Sequence, residues 1–298
     1  MRPKSLAVVI PCREPSRALV ACLGSVTQQW PTDVQAEIVV VDDGSHLDYT
    51  LLTELWSPRV TLERLPIASG AGQARNYGVA ATASEWVIFL DDDCTVPWGW
   101  TNSVLNFIEQ HPHVSMVGGQ IKSKRPQNWL SQATEDYILQ SKLTKGGDPR
   151  VVTACAVVRR GPFTEVGGFH PRFTGAGGED WDLSQRLGEA GFTLSIRGDF
   201  FCYHANPRRP GAFFKRAWRY GQTSLLLVPT PQKRSSQVKG RRWVLRPLKL
   251  ARAIPEWLRA NPPVSNVSWI RSHRSRFLYA CFLLTYFFAR WTSRQSRV

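Results

Sequence analysis

The stretch Trp86-Val87-Ile88-Phe89-Leu90-Asp91-Asp92-Asp93, residues 86–93, sets five apolar residues directly against three carboxylates. A short Val/Ile-rich run stopped by polar residues predicts a buried strand, and Pro97 beyond it confirms that the chain must turn. Two runs of the same kind lie upstream, Leu6 to Ile10 and Glu37 to Val41. Between the runs the spacing predicts helices. Ser16 is placed to cap one whose Leu19, Leu23 and Val26 share a face, and Ala71 to Ala83 is helical in pattern after Ser69-Gly70. Strands alternating with helices imply an α/β fold built on an open, mostly parallel sheet flanked by helices. In such sheets ligands bind beyond the carboxyl ends of the strands. That rule selects Pro11 to Glu14, Asp42 to Ser45 and Asp91 to Cys94.

Further along, Val114 to Gly119 and Thr153 to Val158 read as strands, Asp180 to Ala190 as a helix opened by acids, and Gly211 to Leu227 as an amphipathic, aromatic helix. We place a globular domain over residues 1–228 and a basic, aromatic helical extension over 229–298, joined by the polar, proline-containing run Pro229 to Gly240. The charge divides the same way. From residue 205 there are 20 Lys and Arg against one acid, Glu256, so this part carries +19 of a net +15 and residues 1–204 carry −4. The six cysteines stand singly, with no CxxC pair, and read as reduced thiols of a cytosolic protein; Leu6 to Ile10 is too short for a signal-peptide core.

A near-neutral body with an intensely basic end calls for a polyanionic surface. Arg241 to Leu258 interleaves Arg and Lys with Trp243 and Trp257, as helices lying in a membrane interface do. Phe277 to Ala289 is apolar but short of the roughly 20 residues that cross a bilayer. It is expected to lie in the interface, to re-enter as a hairpin, or to pack as a core helix. Peripheral attachment to the cytoplasmic face of an anionic membrane is the expectation, and no nucleic acid partner is expected, because no nucleic-acid module is present.

Three adjacent carboxylates repel one another unless a cation sits among them, and Mg²⁺ or Mn²⁺ with its hard oxygen ligands suits a site that also holds phosphates. An isolated acidic triplet is more often a solvated turn; this one stands at a strand terminus. Four ordered blocks then carry a resemblance: IPCRE at 10–14, VVVDDGS at 39–45, GAGQARNYGVAATASEWVIFLDDD at 70–93, and VGGFHPRF followed by GGEDWDLSQRL within 166–187. Together they resemble inverting family 2 glycosyltransferases, which have the GT-A-type Rossmann-like fold, over roughly residues 5–228.

The resemblance implies a nucleoside-diphosphate-sugar donor and a divalent metal, Mn²⁺ or Mg²⁺. It implies that Pro11, Arg13 and Glu14 line the nucleoside pocket, although the family more often has a triplet such as Thr-Tyr-Asn where Cys12-Arg13-Glu14 stands, and that Asp43 bonds the base. Gly72, Arg75 and Asn76 would lie near the diphosphate, where Arg75 adds a fork-shaped cation. Asp93 would ligate the metal, with Asp91 and Asp92 at the ribose or the metal's water and Asp91 and His204 as further metal ligands. In Glu179-Asp180 the aspartate would be the catalytic base. Gly118, Gly119 and Trp181 are expected to touch the sugar or a glycan or lipid-linked acceptor, and the Arg216 to Gly221 stretch to clamp the diphosphate or contact the acceptor. The function expected is glycosyl transfer in polysaccharide, glycolipid or cell-envelope glycan synthesis. The alternatives are a sugar nucleotidyltransferase, which would want a glycine-rich loop after the first strand, and a non-catalytic binding protein descended from an enzyme.

Overall fold

Strands β1 (Ser5–Cys12), β2 (Gln35–Asp42) and β4 (Trp86–Leu90) pair in parallel, with β1 between the other two. They form the middle of a seven-stranded sheet in this computed structural model, which describes residues 3–14, 16–31, 33–46, 59–125, 128–137, 141–143, 147–175, 177–196, 198–227, 281–289 and 292. β3 (Val60–Arg64) extends the sheet beside β2. On the other side come β10 (Cys155–Arg159), β6 (Val114–Gly118) and β11 (Thr193–Ser195), in that order outward from β4.

The expected mostly parallel sheet is present, and β10 is its one reversed strand, antiparallel to both β4 and β6. The reversal matters for the site. It brings the start of β10 to the edge where β1, β2 and β4 end: Cys155 pairs with Leu90, and the Asp91 N–H donates to the Ala154 carbonyl at 3.2 Å.

Period-2 alternation divides the core between the two faces. Leu6, Val8 and Ile10 of β1 pack with Leu19 and Leu23 of α1 (Arg17–Thr27) and with Val104 and Ile108 of α3 (Trp100–Gln110). Val9, Val39, Val41, Val87 and Phe89 face the other way. There they meet Ala74 and Val79 of α2 (Ala71–Ala80), Phe163 of α5 (Arg160–Glu165), and Leu183 and Leu187 of α6 (Glu179–Glu189). Each such burial contributes about 1.5–3 kcal/mol, which explains why short strands of only five residues persist. Ser16 caps α1 as expected, its hydroxyl accepting from the Ala18 N–H at 3.1 Å. Gly78 is glycine because a Cβ there would collide with Val9; its absence lets α2 lie close on β1.

A second, three-stranded sheet of β5 (Cys94–Thr95), β12 (Phe201–His204) and β7 (Gln120–Ser123) sits at the same edge, and its β5–β12 pairing sets His204 opposite Cys94. Two short strands, β8 (Lys142–Leu143) and β9 (Pro149–Arg150), form a separate ribbon.

The helix expected over Gly211 to Leu227 is α7 (Pro210–Thr223), continued by a 3-10 turn (Ser224–Leu226). Its Phe213 and Ala217 pack with Leu130 and Ala133 of α4 (Trp129–Tyr137) and with Phe282. Phe282 belongs to a helical segment, residues 281–289, that lies on α7. The Phe282 ring meets Phe213 at 5.3 Å and Tyr220 at 6.2 Å, and Trp218 meets Phe288 at 6.0 Å. Of the three expectations for the apolar run from Phe277, the described part therefore follows the packed helix. Leu284 and Phe288 are exposed on its outer side. No described helix is long and apolar enough to cross a membrane. The expected linker Pro229 to Gly240 and the Arg241 to Leu258 helix lie outside the described residues.

Candidate active site

The loop that follows β2 organises the edge. Asp42 closes an Asx turn, accepting from the Ser45 N–H at 2.9 Å, and pairs with Arg64 at 3.1 Å. Asp43 is buried, and its carboxylate accepts the Ser69 N–H at 2.6 Å and the Gly70 N–H at 3.0 Å. It thereby fixes the start of α2. Gly70 has φ +93°, a conformation open to glycine, and a Cβ there would lie 2.6 Å from the Thr174 carbonyl oxygen. The expectation that Asp43 bonds a base is joined by a plainer role: it holds the loop from which α2 begins.

Pro11, the last residue of β1 but one, is buried, while Arg13 and Glu14 just beyond the strand are exposed. Glu14 is the one described non-glycine residue with positive φ, +57°. It is tied to the β2 loop, its N–H donating to Ser45 Oγ at 2.8 Å and its carboxylate accepting from the His46 N–H at 3.1 Å. A strained residue held by two bonds is a feature of binding loops.

Arg75, at the middle of α2, is buried with its guanidinium between the two acidic motifs. Nη2 reaches Asp91 Oδ1 at 2.6 Å and Nη1 reaches Glu179 Oε1 at 3.6 Å. Burial pulls its pKa down, but Asp91 and Glu179 outweigh that and hold it above the usual arginine value. Gly72 permits the approach, because a Cβ there would sit 3.2 Å from Phe169 and 3.6 Å from Glu179. Asn76, expected near the diphosphate, clasps the Phe169 backbone with its amide, donating to the carbonyl at 2.8 Å and accepting from the N–H at 2.8 Å. Both ends of that amide serve to tie α2 to the 166–169 loop.

The ED motif opens α6, and its two acids have different fates. Glu179 is buried, faces Arg75 and accepts the Gly177 N–H at 2.6 Å. Its pKa is raised, chiefly by burial, with Arg75 opposing. Asp180 is half-buried and bonds the Trp181 N–H at 2.8 Å. Burial, then the adjacent Glu179 charge, push its pKa up to about 7. Glu179 is thus paired with Arg75, while Asp180 makes no ion pair among the described residues. Trp181 is half-exposed and carries the Arg150 guanidinium stacked 3.0 Å from its ring centre.

Within the triplet, Asp93 Oδ1 lies 3.2 Å from His204 Nε2. Burial lowers the His204 pKa against the pull of Asp93, which favours the neutral imidazole. The His204 Nδ1 and Asp93 Oδ1 atoms are both buried, and among the described residues neither His204 Nδ1 nor, beyond that contact with His204, Asp93 Oδ1 has a hydrogen-bond partner. Asp93, Cys94 and His204 bring possible ligand atoms within 4.8 Å of one another. A carboxylate and a neutral imidazole fit Mn²⁺ or Mg²⁺. Cys94 does not: burial raises its thiol pKa to about 12, and it donates to the Ala154 carbonyl. Asp91, expected as a further ligand, is instead engaged by Arg75. Asp92 has its pKa pushed to about 6, first by burial, with a Cys12 thiol bond opposing and the charges of Asp93 and Asp91 adding.

The glycines Gly118 and Gly119, expected at the sugar or acceptor, are closely packed by the protein itself. Both are buried, a Cβ on Gly118 would collide with Ser141, and one on Gly119 would lie 2.6 Å from Phe200. Protein packing accounts for them. Two cations that sequence reasoning did not assign to Asp93 stand beside it. Lys124 donates to its carbonyl at 2.8 Å, and Lys124 and Arg216 both oppose the rise of its side-chain pKa. Lys124 directly follows β7, so the strand-end rule finds it once that four-residue strand is recognised. Five of the cysteines, single in sequence, converge in one core cluster: Cys12, Cys22, Cys94, Cys155 and Cys202. Cys22 donates to the Asp91 carbonyl at 3.7 Å and Cys94 to Ala154; Cys202 lies 3.5 Å from Cys94, and Cys155 lines the same region. All six are free thiols.

Residues 7–167, more than half of the chain, match the model of glycosyl transferase family 2. The chain belongs to that family. A second model, described as the N-terminal domain of galactosyltransferase, matches residues 144–203. An uncharacterized glycosyltransferase of Haemophilus influenzae is 28% identical to this family 2 chain over 63% of it and 64% of the relative, so just under two thirds of that protein is spanned. Glycosyltransferase AglE of Haloferax volcanii is 26% identical over 73% of this chain and 72% of its own. The mannosyltransferase PcManGT of Pyrobaculum calidifontis, solved with GDP-Man and Mn²⁺, superposes with a TM-score of 0.62 at 18% identity, covering 99% of this chain and 88% of that one. The likeness establishes the GT-A fold for the family 2 chain.

Proposed function

We propose that the chain transfers a sugar from a nucleoside-diphosphate sugar to a hydroxyl acceptor with inversion, using Asp180 as base and Asp93 with His204 as the protein ligands of a divalent metal. The observation that carries the reading is the buried Arg75 bridge. It draws the end of β4 and the start of α6 to one edge, ties up Asp91 and Glu179, and leaves Asp180 open.

Ionised Asp180 takes the proton of the acceptor hydroxyl as that oxygen bonds to the anomeric carbon and the bond from this carbon to the diphosphate oxygen breaks. A base whose pKa is about 7 is matched to neutral pH, where proton transfer is most effective. Bound Mn²⁺ or Mg²⁺ supplies Lewis-acid stabilisation of the departing diphosphate. Lys124 and Arg216 add positive charge on the same side. Pro11 to Glu14, with the Asp42 to Ser45 turn, forms the nucleoside side of the cleft. The PcManGT complex with GDP-Man and Mn²⁺ supports a nucleotide sugar and a divalent metal here too.

The acceptor is a glycan or a lipid-linked sugar of the cell envelope, met at the cytoplasmic face of a membrane to which the basic residues 229–298 attach the enzyme peripherally. Release of free nucleoside diphosphate from a panel of sugar donors with Mn²⁺ or Mg²⁺ tests the chemistry. If Asp93→Asn and Asp180→Asn both retain full transfer, the assignment is wrong. Salt-sensitive binding to anionic vesicles, weakened by charge reversal within residues 229–280, tests the attachment; unchanged binding refutes it.

A further inference from the structure

Beside the metal side of the cleft is a cavity of about 660 Å³ lined by Arg125, Asn128, Arg208 and Arg209. The fold converges to make it. Arg125 follows β7, Arg208 and Arg209 stand between β12 and α7, and Asn128 precedes α4. Asn128 fixes the geometry: its Oδ1 accepts the Leu130 and Ser131 N–H groups, both at 3.1 Å, and its Nδ2 donates to the Arg208 carbonyl at 3.5 Å. Among the described residues the three arginines form no ion pair and no acid lines the cavity.

Three arginines lining one concave space, without an acidic partner among the described residues, concentrate positive charge there. The arrangement is tolerable in water and becomes favourable when a polyanion enters, because each guanidinium offers forked N–H donors matched to phosphate oxygens. The positive charge continues toward Asp93 through Lys124, which neighbours Arg125 and bonds the Asp93 carbonyl, and through Arg216 on α7, whose Nη1 is buried without a hydrogen-bond partner among the described residues.

We propose that this cavity is a binding site for a phosphate or diphosphate group distinct from the donor's own, carried by a phosphorylated acceptor or a lipid headgroup. As an acceptor subsite it rests on the transferase reading above; as an anion site it stands on the geometry of these four residues.

The test is isothermal titration of the full chain with inorganic pyrophosphate in EDTA, comparing wild type with R125Q/R208Q/R209Q. The three side chains are exposed and unpaired, so the variant's melting temperature is expected to stay within a few degrees of wild type. Pyrophosphate affinity is expected to fall about tenfold or more, since a charge-assisted hydrogen bond contributes about that factor. A second arm measures both proteins on phosphatidylcholine vesicles with and without phosphatidate, the basic C-terminal region being identical in the two. A phosphatidate-dependent difference between the proteins identifies a lipid phosphate; a difference with pyrophosphate alone identifies a soluble one. Equal binding by the two proteins in both arms overturns the site. Neither arm reads sugar transfer, so failure of the transferase assignment would show in the donor assay and not here.

Discussion

Replacing Arg75 with Met removes the charge between the two acidic motifs while filling most of its volume. Arg75 and Glu179 have side chains only 4% and 7% exposed, so the carboxylate left behind has little water to turn to. Breaking a buried pair by deleting one partner costs about 3–5 kcal/mol. Asp91, at 28% exposure, recovers part of its hydration and adds little. Against a typical total stability of about 5–15 kcal/mol this is a large fraction, read as a shift in urea midpoint at unchanged slope. The loss has a pH signature. Glu179 already has a raised pKa in the fold, and without Arg75 it rises further, so the folded variant binds that proton more tightly than the unfolded chain does. Stability from such a group is present at low pH and is lost as pH rises through the folded pKa. The variant should therefore be penalised more at about pH 8 than at about pH 5.5. A loss under about 1 kcal/mol at the higher pH, with no dependence on pH, would refute the claim that Arg75 holds the site together.

Three other outcomes follow from the same geometry. Transfer by the wild type should rise with pH on a limb centred near 7, the pKa to which burial and Glu179 push Asp180, and Asp180→Asn should cost about 10²–10⁴-fold in rate; a profile flat from about pH 5 to 9 would exclude Asp180 as base. His204→Ala should weaken Mn²⁺ affinity, measured by titration calorimetry, by at least about tenfold with little change in melting temperature, whereas equal affinity would remove His204 from the ligand set. Gly221→Val should destabilise the protein by about 1–3 kcal/mol in chemical denaturation, because a Cβ there collides with the Tyr286 carbonyl and lies 2.8 Å from Ala289; a neutral result would mean that residues 281–289 do not rest on α7.

Which parts of this were legible beforehand follows from how local the governing physics is. Buried parallel strands are read as apolar runs, so β1, β2 and β4 and the residues just past them stood out. The short strands did not: β5 and β12 are two and four residues long, and their pairing, which brings His204 to Asp93, is set by tertiary contacts. The direction of β10 was likewise invisible, because a strand's sense is not encoded in its composition. Residue types at the site were found, but their partners were not. Asn76 and Gly119 lie in the right segments, yet one is consumed by a backbone clasp and the other by the Phe200 ring. The convergence of five cysteines shows the same limit, since they come from four strands and a helix spread over 190 residues of chain.

The C-terminal segment has a second task besides any membrane contact. Phe282 packs on Phe213 and Tyr220 of α7. Tyr220 in turn fills the space where a Cβ on Gly177 would lie, and Gly177, with φ +116°, donates the N–H that holds Glu179. A chain of direct contacts thus runs from residues 281–289 through α7 to the turn that launches Asp180. Removing everything after residue 228 would withdraw that support along with the basic residues, so a loss of activity on truncation would not by itself speak to the membrane. Charge reversal confined to residues 229–280 leaves Phe282 and its described partners Phe213 and Tyr220 unaltered in sequence and so separates attachment from that support. Residues 281–289 are therefore part of the packing on α7, whatever surface the basic residues engage.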